Sequence, residues 1–379
     1  MTIVDAYFND YLGGKIGRPL AGIPASYAVD FHIHLADEKR TWRVVIAGGQ
    51  LVSVAELPGK PKKGLCFVLE VPVLLALAAA KLGTTEAFFA RKISIENGLF
   101  EGMRVGETLA RIFAAEPWTA AAVAAATQHH IPAPVESMPL EDIFEETLRI
   151  EAGPGIDLCA AVACPETGTP AMAVFIFPPD PTLGGGLSNN VVQALHRSAA
   201  RAGLLSVKVG YRGMAGGTIA GRGVLEYWEE LRKTGNLSVI ADDGEALIAR
   251  VCREFNIGAI PSAYIGYSFG AYAALQLLER RPANFCAAIS PPLDGYPFAQ
   301  LKPPHQARIL FIAGSHDEFC PATELADLAK KFGAEVAESG SDDHFHRGVE
   351  DVLADRIVRA ALAEGTKAQR GKGTKGYAN

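Results

Sequence analysis

Gly266-Tyr267-Ser268-Phe269-Gly270 matches G-x-S-x-G, the pattern that presents a serine hydroxyl on a strained turn between a strand and a helix. Residues 263–265 read as the strand before it and 271–279 as the helix after it. The small residues two before and two after the serine keep that turn free of clashes. A serine hydroxyl is a weak nucleophile until a base takes its proton and a carboxylate orients and stabilises that base. Asp317 and His344 follow Ser268 in the order nucleophile, acid, histidine, one of the chain orders in which such a set can be assembled. Each comes after a strand pattern, at 308–313 and 335–337, and active-site groups gather beyond the carboxyl ends of such strands. His346 is an alternative base, Glu318 and Asp294 are alternative acids, and Ser290 is the nearest rival nucleophile. Two plainer readings stand beside these: a serine between glycines as a turn residue, and Asp317 as a cap for the helix starting near Pro321.

Acyl transfer also needs two donors aimed at the developing oxyanion. The backbone N–H of Phe269 is the first. The second is expected from the loop after strand 171–177, which reads Phe177-Pro178-Pro179-Asp180-Pro181-Thr182-Leu183-Gly184-Gly185-Gly186. Proline has no N–H, so the donors there are Asp180 and the residues from Thr182 onward, and Asp180 is favoured. The glycines do not read as a phosphate cradle, because no G-K-[ST] follows. A metal cluster of His344 and His346 with Asp342 and Asp343 finds no support elsewhere in the sequence, and neither a metal nor a cofactor is expected. His316, His32 and His34 read as ordinary surface or strand residues. Cys66, Cys159, Cys164, Cys252, Cys286 and Cys320 form no CxxC pair and read as buried free thiols.

These groups need a sheet to hold them. From Thr147 onward, strand and helix patterns alternate, with strands at 171–177 and 204–209 and helices at 190–202, 245–255, 322–332 and 350–363. Repeated βα units predict an α/β fold with a doubly wound, mostly parallel sheet. Earlier residues predict a smaller α+β unit. Tyr27, Val29, Phe31, Ile33 and Leu35 alternate with polar neighbours, two further strands follow at 42–46 and 51–54, and an apolar helix spans 71–82. The expected division is 1–117, a linker at 118–145, a second domain at 146–363 and a disordered tail at 364–379. A chain of 379 residues suits two domains. Its net charge of −6 argues against nucleic acid. The longest apolar run, around 67–80, is broken by Glu70 and Pro72, so no membrane span is expected. With no basic region followed by an apolar stretch at the start, the cytoplasm is the expected location. The oligomeric state stays open, a homo-oligomer included.

At its chemical residues the chain resembles a family of small, capless α/β-hydrolases. Pro178-Pro179-Asp180-Pro181 stands where that family has a His-Pro-His-Pro loop, so both loop histidines are replaced. Gly184-Gly185, Asn189-Asn190-Val191-Val192, Tyr211-Arg212-Gly213 and Asp343-His344-Phe345 match its other motifs. The last of these favours His344 over His346. The resemblance covers about 147–363. The first 117 residues resemble the sterol carrier protein-2 lipid-transfer domain through the first helix, the strand at 27–35, the Gly48-Gly49 turn and Glu86-Ala87-Phe88-Phe89 before Lys92-Ile93-Ser94-Ile95. That likeness implies a tunnel for acyl chains or sterols. Two glycines usual around its last strand are Arg91 and Asn97 here, so a different local loop is expected.

Together these readings predict a serine hydrolase for an ester or thioester of a hydrophobic small molecule, such as an acyl or lipid-like compound. Ser268 attacks, His344 moves the proton, Asp317 orients it, and the N–H groups of Phe269 and Asp180 hold the oxyanion. An acyltransferase with the same residues, or a lipid carrier with a silent hydrolase fold, are the alternatives. Phe88 and Phe89 read equally as exposed aromatics or as core, and the acyl chain is expected in the N-terminal tunnel.

Overall fold

The computed structural model describes residues 2–21, 23–118, 143–165, 170–214, 219–257, 260–304 and 307–373. The chain forms two compact units. One comprises Met1–Ser137 with Thr182–Gly184 and Leu225–Glu229, and the other comprises the remainder. The Ala-rich stretch at 120–126 and most of the expected linker lie outside the described residues.

In the first unit, β1 (Val29–Leu35), β2 (Arg40–Ala47), β3 (Gln50–Leu57), β4 (Cys66–Leu69) and β5 (Ile93–Glu96) form one sheet in the order β3-β2-β1-β4-β5. Val29, Phe31, Ile33 and Leu35 face the core, as their alternation requires. Gly48 and Gly49 make the two-residue turn between β2 and β3, both at positive φ. Arg91 and Asn97 also sit in the left-handed region, at φ 58° and 59°. The backbone there holds the conformation a glycine would take, at a cost of roughly 1–2 kcal/mol for the arginine. The apolar helix ends sooner than its pattern suggests, spanning Val71–Ala78, with Ala80 at φ 54° just beyond it. Phe88, which the sequence left open between exposed and core, is buried. With Ile33, Phe67, Leu77, Met103 and Phe113 it lines an apolar cavity with about 40 Å³ open to the centre of a water molecule.

The second unit is an α/β structure built on eight strands in the order β13-β12-β11-β10-β8-β9-β7-β6. These are β6 (Ile143–Gly153), β7 (Ile156–Pro165), β8 (Ala173–Phe177), β9 (Leu205–Val209), β10 (Ser262–Tyr267), β11 (Phe285–Ile289), β12 (Arg308–Ala313) and β13 (Glu335–Glu338). The run from β9 to β13 is parallel, and β7 and β6 add to it antiparallel. Strands β8, β9 and β11 are buried along their whole length, as a sheet covered on both faces demands. Helices Asn190–Arg201 and Glu350–Gly373 bury Val192, Leu195, Ile357 and Val358 against Val174, Ile176, Ile265 and Ile289. Phe175, Phe177 and Tyr264 pack together on the opposite face. Helices Ser238–Glu254 and Phe269–Arg280 pack against each other there, Gly244 lying close to both Phe177 and Leu277.

Three expectations change. The hairpin β6–β7 begins at Ile143, inside the stretch read as linker, because its Ile, Phe, Thr and Leu are interleaved with glutamates that resemble a charged connector. The closing helix, expected over 350–363, runs Glu350–Gly373 and takes in 364–373 of the stretch read as a disordered tail. Glu364 there pairs with Lys367 and Arg308, which gives the helical turn partners the composition does not reveal. A further helix, Val224–Thr234, escaped the sequence reading. Among the described residues no helix is long and apolar enough to cross a membrane.

Candidate active site

The chain runs from β8 to β9 on one side and continues with β10 on the other side of β8. Ligands bind in the crevice that such a reversal opens at the carboxyl ends of the strands. Ser268 stands at the end of β10, and the loop from Phe177 to Asp180 leaves the end of β8. Ser268 has φ 56° and ψ −122°, a strained conformation for a residue with a side chain. Backbone hydrogen bonds from Ser268 N–H to the Ile289 carbonyl and from Ala271 N–H to the Ser268 carbonyl hold it there, at 2.8 and 2.9 Å. The turn closes because Gly266 and Gly270 lack Cβ atoms. A Cβ on Gly266 would overlap the Gly270 carbonyl, and one on Gly270 would overlap the Phe177 carbonyl.

Ser268 Oγ lies 3.1 Å from His344 Nε2. On the other side of the ring, His344 Nδ1 lies 3.0 and 3.1 Å from the two Asp317 oxygens. Burial alone would push the Asp317 carboxyl up, but the His344 ring, the Ser290 hydroxyl and the Phe319 N–H outweigh it and hold it below its ordinary value. Asp317 is therefore ionised at neutral pH and can only accept hydrogen bonds. Nδ1 of His344 must then carry the hydrogen, leaving the Nε2 lone pair toward the Ser268 hydroxyl. Phe319 meets the imidazole edge to face with ring centres 4.9 Å apart, and Tyr267 and Phe345 lie against it at 5.7 and 5.4 Å. These rings limit the water that can reach Nε2.

The loop that carries His344 is fixed from both ends. The Asp343 carboxylate accepts from the N–H groups of Phe345 and His346 at 2.9 and 3.1 Å. Asn190 Nδ2 donates to the Phe345 carbonyl and to Glu350, at 3.3 and 2.7 Å. Tyr267 donates its hydroxyl to the His344 carbonyl at 3.0 Å. The loop after β12 joins the same assembly through N–H donation from Ser315 to Ser341 and from His316 to Asp342. The other candidates separate clearly. Glu318, Asp294 and His316 are exposed. His32 and His34 belong to β1 and bond the Leu65 carbonyl and Thr41. Ser290 and His346 are buried and bond each other at 2.9 Å. Among the described residues, no three His, Cys, Asp or Glu side chains are grouped as metal ligands.

Asp180 lies in the loop expected to supply the second oxyanion donor, and its side chain is buried. Its carboxylate accepts from Arg232 and from the Tyr296 hydroxyl, each at 2.8 Å, and its carbonyl accepts from Gly185 N–H at 3.0 Å. Tyr211 donates to the Pro178 carbonyl at 2.9 Å. The neighbouring Arg212 is in turn held by a buried ion pair with Asp243. The Tyr211-Arg212-Gly213 turn thus pins the loop beside Phe269. Sequence reading missed Arg232 and Tyr296. The spacing of Val224, Leu225, Trp228 and Leu231 is the signal that would have placed Arg232 on a helix.

The close approach of Gly270 to Phe177 carries an expected result. Gly270→Ala forces the elbow and the β8 loop apart, destabilising the chain by about 3 kcal/mol in urea unfolding. A midpoint unchanged from that of the unsubstituted chain contradicts this packing.

No family model matches the chain. A curated relative, described as an uncharacterized protein of Rickettsia prowazekii (strain Madrid E), is 28% identical over 193 residues, which span 48% of this chain and 74% of that protein. Among solved structures, an α/β serine hydrolase homologue from Coxiella burnetii is similar with 23% identity and a TM-score of 0.45, covering 57% of this chain and 96% of its own. An α/β serine hydrolase without a lid from Xanthomonas campestris is similar with 24% identity and a TM-score of 0.44, covering 59% and 94%. A cold-adapted esterase from an Arctic intertidal metagenomic library is similar with 14% identity and a TM-score of 0.44, covering 57% and 95%.

Proposed function

We propose that the second unit is a serine hydrolase for an ester or thioester of an apolar acyl compound. The observation that carries this reading is the continuous contact from Ser268 Oγ through both nitrogens of His344 to Asp317. Ser268 Oγ attacks the carbonyl carbon while Nε2 of His344 takes its proton. The ionised Asp317 stabilises the imidazolium so formed. The oxyanion is held by the N–H of Phe269 and by the loop through Asp180. His344 returns its proton to the departing alkoxide or thiolate, and water then cleaves the acyl-enzyme by the same steps. A fluorophosphonate probe tests this directly. It is expected to modify Ser268 in the folded chain at neutral pH and to leave Ser290 unmodified, as read by peptide mass spectrometry. Failure to label Ser268 refutes the assignment.

For the first unit we propose acyl-chain binding, supported by the apolar cavity lined by Phe88 and Met103. Met103→Trp adds bulk to the wall. It is expected to weaken binding of a fluorescent long-chain fatty acid by about tenfold or more while leaving acetyl-ester turnover unchanged. Undiminished binding would place the ligand elsewhere.

A further inference from the structure

The reaction above takes one oxyanion donor from Phe269 and the other from the loop through Asp180. That loop carries a negative charge to a site where a second one must develop. The Asp180 side chain is 1% exposed, and one of its oxygens accepts from both Arg232 Nη1 and the Tyr296 hydroxyl, each at 2.8 Å. Arg232 lies in the last turn of the helix Val224–Thr234, with its side chain 22% exposed. Tyr296 reaches the other donor as well. Its ring packs on that of Phe269 with centres 4.8 Å apart, and on Tyr272 at 5.9 Å. Tyr211 bridges the same two segments, its ring meeting Phe269 at 5.3 Å while its hydroxyl donates to the Pro178 carbonyl at 2.9 Å.

The partners fix the direction of each bond. A guanidinium only donates and a carboxylate only accepts. Burial, with the Asp180 carboxylate beside it, pushes the Tyr296 phenol well above its ordinary value, so its hydroxyl keeps its hydrogen and donates. Phe269, Tyr211 and Tyr296 are themselves buried, so charges here are weakly screened by water. A buried carboxylate is costly unless a cation meets it. It also repels an oxyanion held by its own residue. Arg232 supplies the opposite charge at hydrogen-bond distance and makes the pair neutral. Tyr296 brings no charge, but it ties the loop that bears Asp180 to the residue that follows the nucleophile.

We infer that Arg232 and Tyr296 are positioning residues of the oxyanion site, Arg232 by cancelling the charge of Asp180 and Tyr296 by holding the Asp180 loop against Phe269. The inference rests on the reading of Ser268, His344 and Asp317 given above. Without Arg232 the tetrahedral oxyanion forms beside an uncompensated carboxylate. A neutral ester carries no such charge and binds as before, so the loss falls on the chemical step. Replacing Asp180 by asparagine in the same chain removes the charge and relieves the repulsion. Without the Tyr296 hydroxyl the charges still cancel, and only the tie between loop and elbow is lost.

The test uses the full chain, with folding verified by circular dichroism, and two probes. Pre-steady-state release of 4-nitrophenolate from 4-nitrophenyl acetate separates substrate binding from acylation. A trifluoromethyl ketone reads the oxyanion site alone: Ser268 Oγ bonds to its carbonyl carbon, the serine proton passes to His344, and the carbonyl electron pair becomes the oxyanion. Arg232→Met is expected to slow acylation about 30-fold or more and to weaken the ketone by a similar factor, with ester binding nearly unchanged. Arg232→Lys keeps the charge and stays within about tenfold of the unsubstituted chain. The double variant Arg232→Met/Asp180→Asn acylates faster than Arg232→Met by roughly fivefold or more, although it has lost a further group. Tyr296→Phe keeps the ring on Phe269 and slows acylation about fivefold. Unchanged acylation in Arg232→Met or Tyr296→Phe, a loss confined to ester binding, or a double variant no faster than Arg232→Met would each overturn the inference. If Arg232→Met does not fold, Arg232→Lys decides, and a loss beyond about tenfold in its acylation counts against charge cancellation. A Ser268→Ala chain that keeps its rate refutes the underlying site. A dead Ser268→Ala chain beside an unaffected Arg232→Met chain refutes this inference alone.

Discussion

Ser268→Ala is expected to lower turnover of 4-nitrophenyl acetate by about 10⁴-fold or more while leaving the melting temperature within a few degrees. The substitution removes one half-buried hydroxyl. The backbone bonds that hold the elbow, from Ser268 N–H to Ile289 and from Ala271 N–H to Ser268, do not involve it. Alanine must still adopt φ 56°, which it does no more easily than serine, so the strain stays about the same. The oxyanion donors remain and sustain residual turnover over the reaction in water. Ser290 does not replace the lost hydroxyl, because it is wholly buried and already bonded to His346. Initial rates at saturating substrate, with circular dichroism to verify folding, decide the matter. Wild-type turnover in a folded Ser268→Ala chain would remove Ser268 from the mechanism.

His344→Ala is expected to cost about as much as the loss of Ser268, again roughly 10⁴-fold or more in kcat. The two side chains act as one unit, so removing both is expected to cost little more than removing either. His344 is in hydrogen-bond contact with both Ser268 and Asp317. His346, two residues on, lies within reach of Ser290 instead, and its loss is expected to cost far less. The ratio between the two single variants is the measurement. Equal losses would leave the identity of the base open and would argue against the geometry of the loop at Asp343.

Much of this arrangement was legible in the residues. The apolar run at β8, the alternation in β1 and the spacing around Ser268 each carry a local physical requirement that a sequence displays directly. Burial on both faces excludes charge, a half-buried strand alternates, and a tight elbow excludes Cβ atoms at Gly266 and Gly270. The hairpin β6–β7 was less legible because its interleaved glutamates resemble a charged connector. The helix Val224–Thr234 followed a stretch of glycines and was passed over, and Arg232 with it.

What the sequence determined by itself was a set of candidates. It placed a serine on an elbow, put acids and histidines downstream in a workable order, and named a loop beyond β8 with few available N–H donors. The choice among them depended on contacts between residues far apart in the chain. Ser268 and His344 meet because β10 and β13 belong to one parallel sheet and send their loops to the same end. Asp317 rather than Glu318 faces the imidazole because the turn after β12 buries one carboxylate and exposes the next. His344 rather than His346 reaches Ser268 because Asp343 and Asn190 shape the loop between them. Local patterns record the demands each residue makes on its neighbours in sequence; which distant partner meets those demands is settled only when the sheet has set its strand order.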